Sequence, residues 1–234
     1  MGITENGTGL HGSVPMTGLA DRVRTALADA DSTASVAATL RARRWNRFVQ
    51  LFPEIADARI VDLGGTAAYW AAAPVRPAHV VLVNLQEQAS HESWITSHVG
   101  DVCAPPEAVT RERFDVVYSN SVIEHVGGHA NRERMAEMVH GLGERHWVQT
   151  PYRYFPVEPH WLFPGFQFLP TTLRARVARS WPLAWSRPPD RRSSVSNALG
   201  VELLDRTQLE YYFPTSTLLP ERVAGLVKSL IAVR

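Results

Sequence analysis

The chain has 234 residues, 45% of them hydrophobic, and a formal net charge of +1. That is enough apolar material for the core of one large domain, and a charge balance without blocks of like sign gives no reason to expect nucleic acid or an anionic membrane as partner. A single cysteine, Cys103, excludes an intramolecular disulfide and a cysteine-cluster zinc site. No run reaches the roughly 18 apolar residues of a membrane span. The N-terminus lacks a basic-then-apolar leader pattern, so the expected location is cytoplasmic. Lys228 is the only lysine, the other 23 basic residues being arginines. A P-loop, which places a lysine directly after its glycines, is therefore absent. So is a lysine-assisted tyrosine near Tyr118.

Residues 1–18 are rich in Gly, Ser and Thr, lack periodicity and read as a disordered tail. From Leu19 to Phe52 apolar residues recur at three- and four-residue spacing, predicting helices that stop at Pro53. Strands and helices then alternate. Strands are expected at Arg59–Leu63, His79–Asn84, Ile95–Val99, Phe114–Tyr118 and Arg145–Gln149. Helices are expected at Ala67–Ala73 and Arg132–Leu142. Residues 151–198 break the rhythm with many prolines and aromatics and read as an insertion over the mouth of the fold. A helix at Arg206–Phe213 and strands near Ser216–Leu219 and Leu226–Val233 close the chain. The pattern predicts an α/β fold: a Rossmann-like, doubly wound sheet of seven mostly parallel strands, with an antiparallel strand at the C-terminus.

Two strand ends look chemical. Arg59-Ile-Val-Asp-Leu-Gly-Gly-Thr66 stops at glycines that let the backbone turn tightly and a ligand approach its amides. A dinucleotide fingerprint needs Gly-x-Gly-x-x-Gly, and this loop is Gly-Gly-Thr-Ala-Ala-Tyr-Trp, so a plain tight turn stays open as the alternative. Asn84 ends the second strand, where ribose-binding folds place a hydroxyl acceptor. Asp101, past the third strand, suits either an exocyclic amine or a turn cap. The fourth strand ends in Tyr118-Ser-Asn-Ser-Val-Ile-Glu-His-Val126.

Val61-Asp-Leu-Gly-Gly65, Asn84, Gly100-Asp101 and the Phe114–Val126 segment together resemble class I S-adenosylmethionine (SAM)-dependent methyltransferases of the type 11-like branch. The resemblance covers residues 55–170 and the C-terminal strand pair. It implies SAM as cofactor, with Asp62, Gly64 and Gly65 at its methionine part, Asn84 at the ribose and Asp101 with Val102 at the adenine. Ser119 and Asn120 would line the site. An actinobacterial sugar O-methyltransferase of methylated-polysaccharide synthesis is the sharper form of the resemblance. Asn84 departs from the acidic residue usual at that position.

Beyond the fifth strand, Glu158 and His160 are one residue apart, so an extended segment aims both to one side. Histidine suits proton removal from a hydroxyl near neutral pH. His160 is therefore the candidate base, with Glu158 orienting it. A structural histidine held between prolines is the bland alternative. Glu158 and Glu124 are also candidate ligands for a divalent cation such as Mg2+, which would clamp sugar hydroxyls. Glu124 and His125 sit at the crevice mouth; a His125–His129 metal pair is disfavoured by the glycines between them. The expected partner is a small-molecule or oligosaccharide acceptor, and a homodimer is left open. The rival readings are an NAD-dependent oxidoreductase on a similar sheet and a non-catalytic scaffold.

Overall fold

The computed structural model describes residues 36–184 and 188–234. The expected tail, the helical pattern from Leu19 to Ser35, and Arg187 lie outside the described residues. A helix α1 (Val36–Leu51) leads into β1 (Arg59–Leu63), a short α2 (Ala67–Ala71), β2 (His79–Asn84) and β3 (Ile95–Val99). A single turn α3 (Glu107–Thr110) precedes β4 (Val116–Asn120), α4 (Gly128–Leu142) and β5 (His146–Pro151). The insertion holds a two-residue pair, β6 (Val157–Glu158) and β7 (Phe163–Pro164), then α5 (Thr171–Ser180) and α6 (Arg191–Leu199). The chain ends with α7 (Arg206–Tyr212), β8 (Thr217–Val223) and β9 (Leu226–Val233).

The strands form one seven-stranded sheet in the order β3-β2-β1-β4-β5-β9-β8. The pairings from β3 to β5 are parallel, and β9 runs antiparallel to both of its neighbours. This is the expected doubly wound architecture. The strand order reverses between β1 and β4, and a ligand crevice opens outside the carboxyl ends of strands at such a switch point.

Alternation along the strands builds two cores. On one face Val61, Leu63, Val81 and Val117 meet Met135 and Val139 of α4 and Leu209 of α7. On the other, Ile60, Val80, Leu82, Tyr118 and Trp147 meet Trp45 and Phe48 of α1 and Trp70 of α2. The insertion has its own small core, in which Trp161 stacks on Phe166 with ring centroids 4.1 Å apart. Trp147 is thus a core residue, and Trp161 packs within the insertion.

Several boundaries differ from the sequence expectation. β4 starts two residues late because Phe114 and Asp115 bond to Leu142 and Arg59 ahead of the ladder. β5 continues to Pro151 because β9 pairs with it there, Pro151 lying opposite Ser229. α4 starts at Gly128, four residues earlier than Arg132, with Gly127 at positive φ as its cap.

Helix α1 is integral to the second core. Phe48 is fully buried against Phe52, Tyr118 and Trp147. Phe48→Ala should therefore cost about 3–5 kcal/mol, read as a lower urea midpoint at unchanged slope. A loss below 1 kcal/mol would show that α1 is not part of the cooperative unit.

Candidate active site

At the end of β1 the chain turns at Gly64, whose φ of +91° favours glycine and whose absent side chain leaves room for Val122. Gly65 has a stricter requirement: a Cβ there would sit 2.0 Å from the Asp62 carboxylate. Asp62 is buried, and its Oδ2 accepts a hydrogen bond from the Trp70 indole at 2.8 Å. Its Oδ1 is buried without a hydrogen-bond partner. Burial raises this carboxyl to about 7, the indole bond opposing only part of the shift.

Asn84 braces the same turn. Its amide donates to the Gly65 carbonyl at 2.9 Å and, more weakly, to that of Gly64 at 3.3 Å, while its oxygen accepts from the Gln86 amide. Asp101 is exposed and accepts from the Cys103 amide at 2.8 Å, which is turn-capping geometry. Val102 packs into the first core. Ser119 is fully buried and donates to the Leu63 carbonyl, tying β4 to β1 at the switch point. Asn120 accepts from Arg44 at 2.9 Å, and Arg44 also grips Glu221 with two further bonds. Helix α1 is thereby tied to the ends of β4 and β8.

Beside this edge lies a cavity of about 510 Å³. Thr66, the cap of α2, and Tyr69 within it line the cavity, with Asn120 at the end of β4 and Ser121 just past it, Gln149 from β5, and His160 from the insertion. Gly64, Gly65, Asn84 and Asp101 are not in its lining; they continue the same sheet edge toward β3. Ser121 has φ of +59°, a conformation that serine seldom adopts, and its hydroxyl donates to Gln149. Such strain is concentrated at functional sites. A larger open groove, about 830 Å³, lies at the opposite end of the sheet around Ala58, Asp115 and Gly143, and no candidate site residue lines it.

Glu158 and His160 come together as expected. The buried Glu158 accepts from the backbone amides of His160 (2.7 Å) and Trp161 (3.0 Å) through Oε2, and its Oε1 lies 2.6 Å from His160 Nδ1. These contacts place the Nδ1 proton of His160 between the two groups and leave its Nε2 for other chemistry. That Nε2 lies 3.0 Å from Nε2 of His125. His125 has a further hydrogen bond to the Gly200 backbone. With Nδ1 of His160 turned to Glu158, the two facing Nε2 atoms can share a proton or hold a cation between them.

The charges agree with this picture. Burial alone would lower the His160 pKa, but the Glu158 hydrogen bond and the charges of Glu158 and Glu124 raise it above the ordinary value. His125 is lowered, by the protein around it and then by His160. Glu124 is buried, accepts from Thr150 through Oε2 at 2.9 Å, and has no partner on Oε1. Burial raises it to about 7. One ligand atom each from Glu124, His125 and His160 lie within 4.8 Å of one another.

Of the expected cation pair, Glu124 falls in this cluster and Glu158 does not. Glu158 has its oxygens taken by two amides and a histidine, so it stands behind His160 and leaves Glu124 to face the histidines. His129 takes no part, its Nδ1 lying 2.9 Å from the Tyr212 hydroxyl. Arg44, Tyr69 and Gln149 carry no local signal that would have marked them as site residues. The first two come from helices, where their spacing reads as surface. The Tyr69 and Tyr118 hydroxyls lie 2.5 Å apart below the cavity.

No family model and no curated protein matches the chain. Solved structures do share its architecture. The CurJ carbon methyltransferase superposes with a TM-score of 0.52 at 13% identity, over 87% of this chain and 55% of that one. A Rhodobacter sphaeroides protein described provisionally as a Zn-dependent alcohol dehydrogenase gives 0.53 at 10% identity, over 82% of this chain and 87% of that one. An S-adenosylmethionine-dependent methyltransferase from Mesorhizobium loti gives 0.49 at 18% identity, over 82% and 97%. The first two likenesses establish the fold, a doubly wound sheet of the kind found in solved methyltransferases. No described helix is long and apolar enough to cross a membrane.

Asp62 and Glu124 make a linked prediction. Both carboxyls are raised in the folded chain, so between about pH 4 and 7 the folded state holds protons that the unfolded chain has released. Their contribution to stability is therefore fullest below pH 4, falls as pH rises toward 7, and is flat above. Asp62→Asn and Glu124→Gln should each flatten the fall by up to one proton, about 1.4 kcal/mol per pH unit. Urea denaturation across pH 4–8 checks this, and slopes parallel to wild type would contradict it.

Proposed function

We propose that the protein is a SAM-dependent O-methyltransferase, with a sugar or oligosaccharide hydroxyl as acceptor. The observation that carries the reading is the Glu158–His160 pair, whose histidine lines a cavity that reaches the ends of β1 and β4. The cavity is assigned to the acceptor, and the cofactor, held at the neighbouring glycine turn, would supply a methyl group on a sulfonium, already activated for transfer. The protein has to orient a hydroxyl and remove its proton.

The cofactor edge fits that group. Asp62 Oδ1 is an acceptor without a donor beside the glycine turn, suited to the ammonium of an amino acid. Asn84 holds the turn in shape, and Asp101 and Val102 stand farther along the edge for the adenine. A dinucleotide fits less well. Its pyrophosphate seats on the start of a long helix after a three-glycine loop. Here α2 has five residues, and the Thr66 hydroxyl already caps it by accepting from the Tyr69 amide.

His160 is the base. Neutral, it keeps its Nδ1 proton on Glu158 and offers the Nε2 lone pair. The acceptor hydroxyl donates to Nε2 in place of the His125 contact. When the oxygen takes the methyl carbon and the carbon–sulfur bond breaks with its electron pair left on sulfur, the hydroxyl proton would pass to Nε2, and the Glu158 carboxylate would stabilise the imidazolium. Glu158 is a positioning residue that also raises the pKa of the base.

His160→Ala should lower turnover by at least about a hundredfold, the typical contribution of a positioned base, with S-adenosylhomocysteine binding unchanged. Full activity would refute the assignment. The pKa of His160 is raised by Glu158 and Glu124, so the rate should climb with pH along a limb that lies above the ordinary histidine value. Glu158→Gln should move that limb to lower pH and also reduce the maximal rate. An unmoved limb would show that Glu158 does not act through His160.

The Glu124–His125–His160 cluster favours a second reading, in which a divalent ion takes the position of the shared proton and polarises the acceptor oxygen. Two imidazoles and a carboxylate suit a zinc-like ion better than Mg2+, which prefers oxygen ligands and water. EDTA treatment of active protein separates the readings: activity lost and restored by Zn2+ or Co2+ supports the ion, and an unchanged rate supports the base.

A further inference from the structure

The cavity wall is cationic. Arg41, Arg44 and Lys228 line it together with His160, and no aspartate or glutamate among the described residues does. Arg44 is neutralised by its paired bonds to Glu221, which leaves that carboxylate spent. Lys228 is different. Among the described residues its ammonium makes no hydrogen bond and no ion pair, although it is half-buried. Its position follows from topology. β9 runs antiparallel, so its first residues stand at the sheet end where β1, β4 and β5 finish. Ser229 is level with Pro151, and the Tyr152 amide donates to the Lys228 carbonyl. Lys228 thus lines the cavity beside the start of the insertion.

In a chain with 23 arginines, the single lysine lies in this cavity. A half-buried cation without an anion is costly unless a ligand supplies one. Burial accordingly pushes the Lys228 ammonium below its ordinary pKa, against a smaller opposing effect of Glu221. A lysine binds a carboxylate or phosphate as a compact charge on a flexible stem.

We infer that Lys228 is an anion-recognition residue of the acceptor site, and that the acceptor carries a carboxylate or phosphate, as a uronic acid or sugar phosphate does. This deepens the proposed function and rests on its assignment of the cavity to the acceptor. The cofactor also carries a carboxylate, so the anion has two sources, which the test separates.

The probes are D-glucuronate, glucose 1-phosphate and neutral D-glucose, titrated calorimetrically into the full-length protein with and without S-adenosylhomocysteine. No methyl transfer is needed, so the outcome does not depend on turnover. At least one anionic sugar should bind wild type more tightly than glucose. Lys228→Met should weaken that binding about ten- to hundredfold, and Lys228→Arg should restore part of it. S-adenosylhomocysteine affinity should be the same in all three proteins. Anionic sugars that bind no better than glucose, or bind Lys228→Met as well as wild type, would overturn the inference. So would weakened S-adenosylhomocysteine binding in Lys228→Met, which would assign the anion to the cofactor. Failure of wild type to bind S-adenosylhomocysteine, with anion recognition intact, would instead count against the methyltransferase reading alone.

Discussion

The Asp62 carboxylate occupies the space in which Gly65 would carry a side chain. Much of the site follows from that exclusion. The buried acid forces a glycine, the glycine permits the turn, and Asn84 binds the turn's carbonyls from the neighbouring strand. Trp70 holds the other side of the acid and joins it to the α1–α2 core. A carboxylate buried with one oxygen unpartnered is unfavourable for stability. Its retention at the switch point of the sheet is what a ligand-binding residue would require.

A second buried acid repeats the arrangement across the crevice. Glu158 is satisfied by two amides and a histidine, and that network fixes which nitrogen of His160 is free. Glu124 is only half satisfied. The crevice therefore has a buried acid at the end of β1 and an acid–histidine group on the insertion, with the cationic cavity beside the ends of β4 and β5. Helix α1 closes it through Arg44, which reaches both Asn120 and Glu221.

The sheet was legible in the sequence because parallel strands buried on both faces read as continuous apolar runs. Val80-Val-Leu-Val83 could hardly be anything else, and β3 and β9 fall on the residues expected. The strand ends were less clear, since β4 and β5 are bounded by partners far away in sequence. The Glu158–His160 pair was legible because its contact is local, two residues apart in an extended segment. The partner of His160 was not. His125 is 35 residues distant, and nothing in the local pattern distinguishes it from His129. Arg44 and Lys228 were invisible for the same reason: one is an arginine on an amphipathic helix, the other a residue in an edge-side strand. Asn84 shows the opposite limit. Its position was legible, while its use as a brace for the glycine turn depends on the three-dimensional approach of β2 to β1.

The central claim is that this sheet edge holds SAM rather than a dinucleotide, and cofactor binding tests it most directly. Isothermal titration of the purified protein with S-adenosylhomocysteine and, separately, with NAD should give one saturable site of about micromolar affinity, roughly −8 kcal/mol, for the first and no binding for the second. Saturable NAD binding, with none for S-adenosylhomocysteine, would contradict the account.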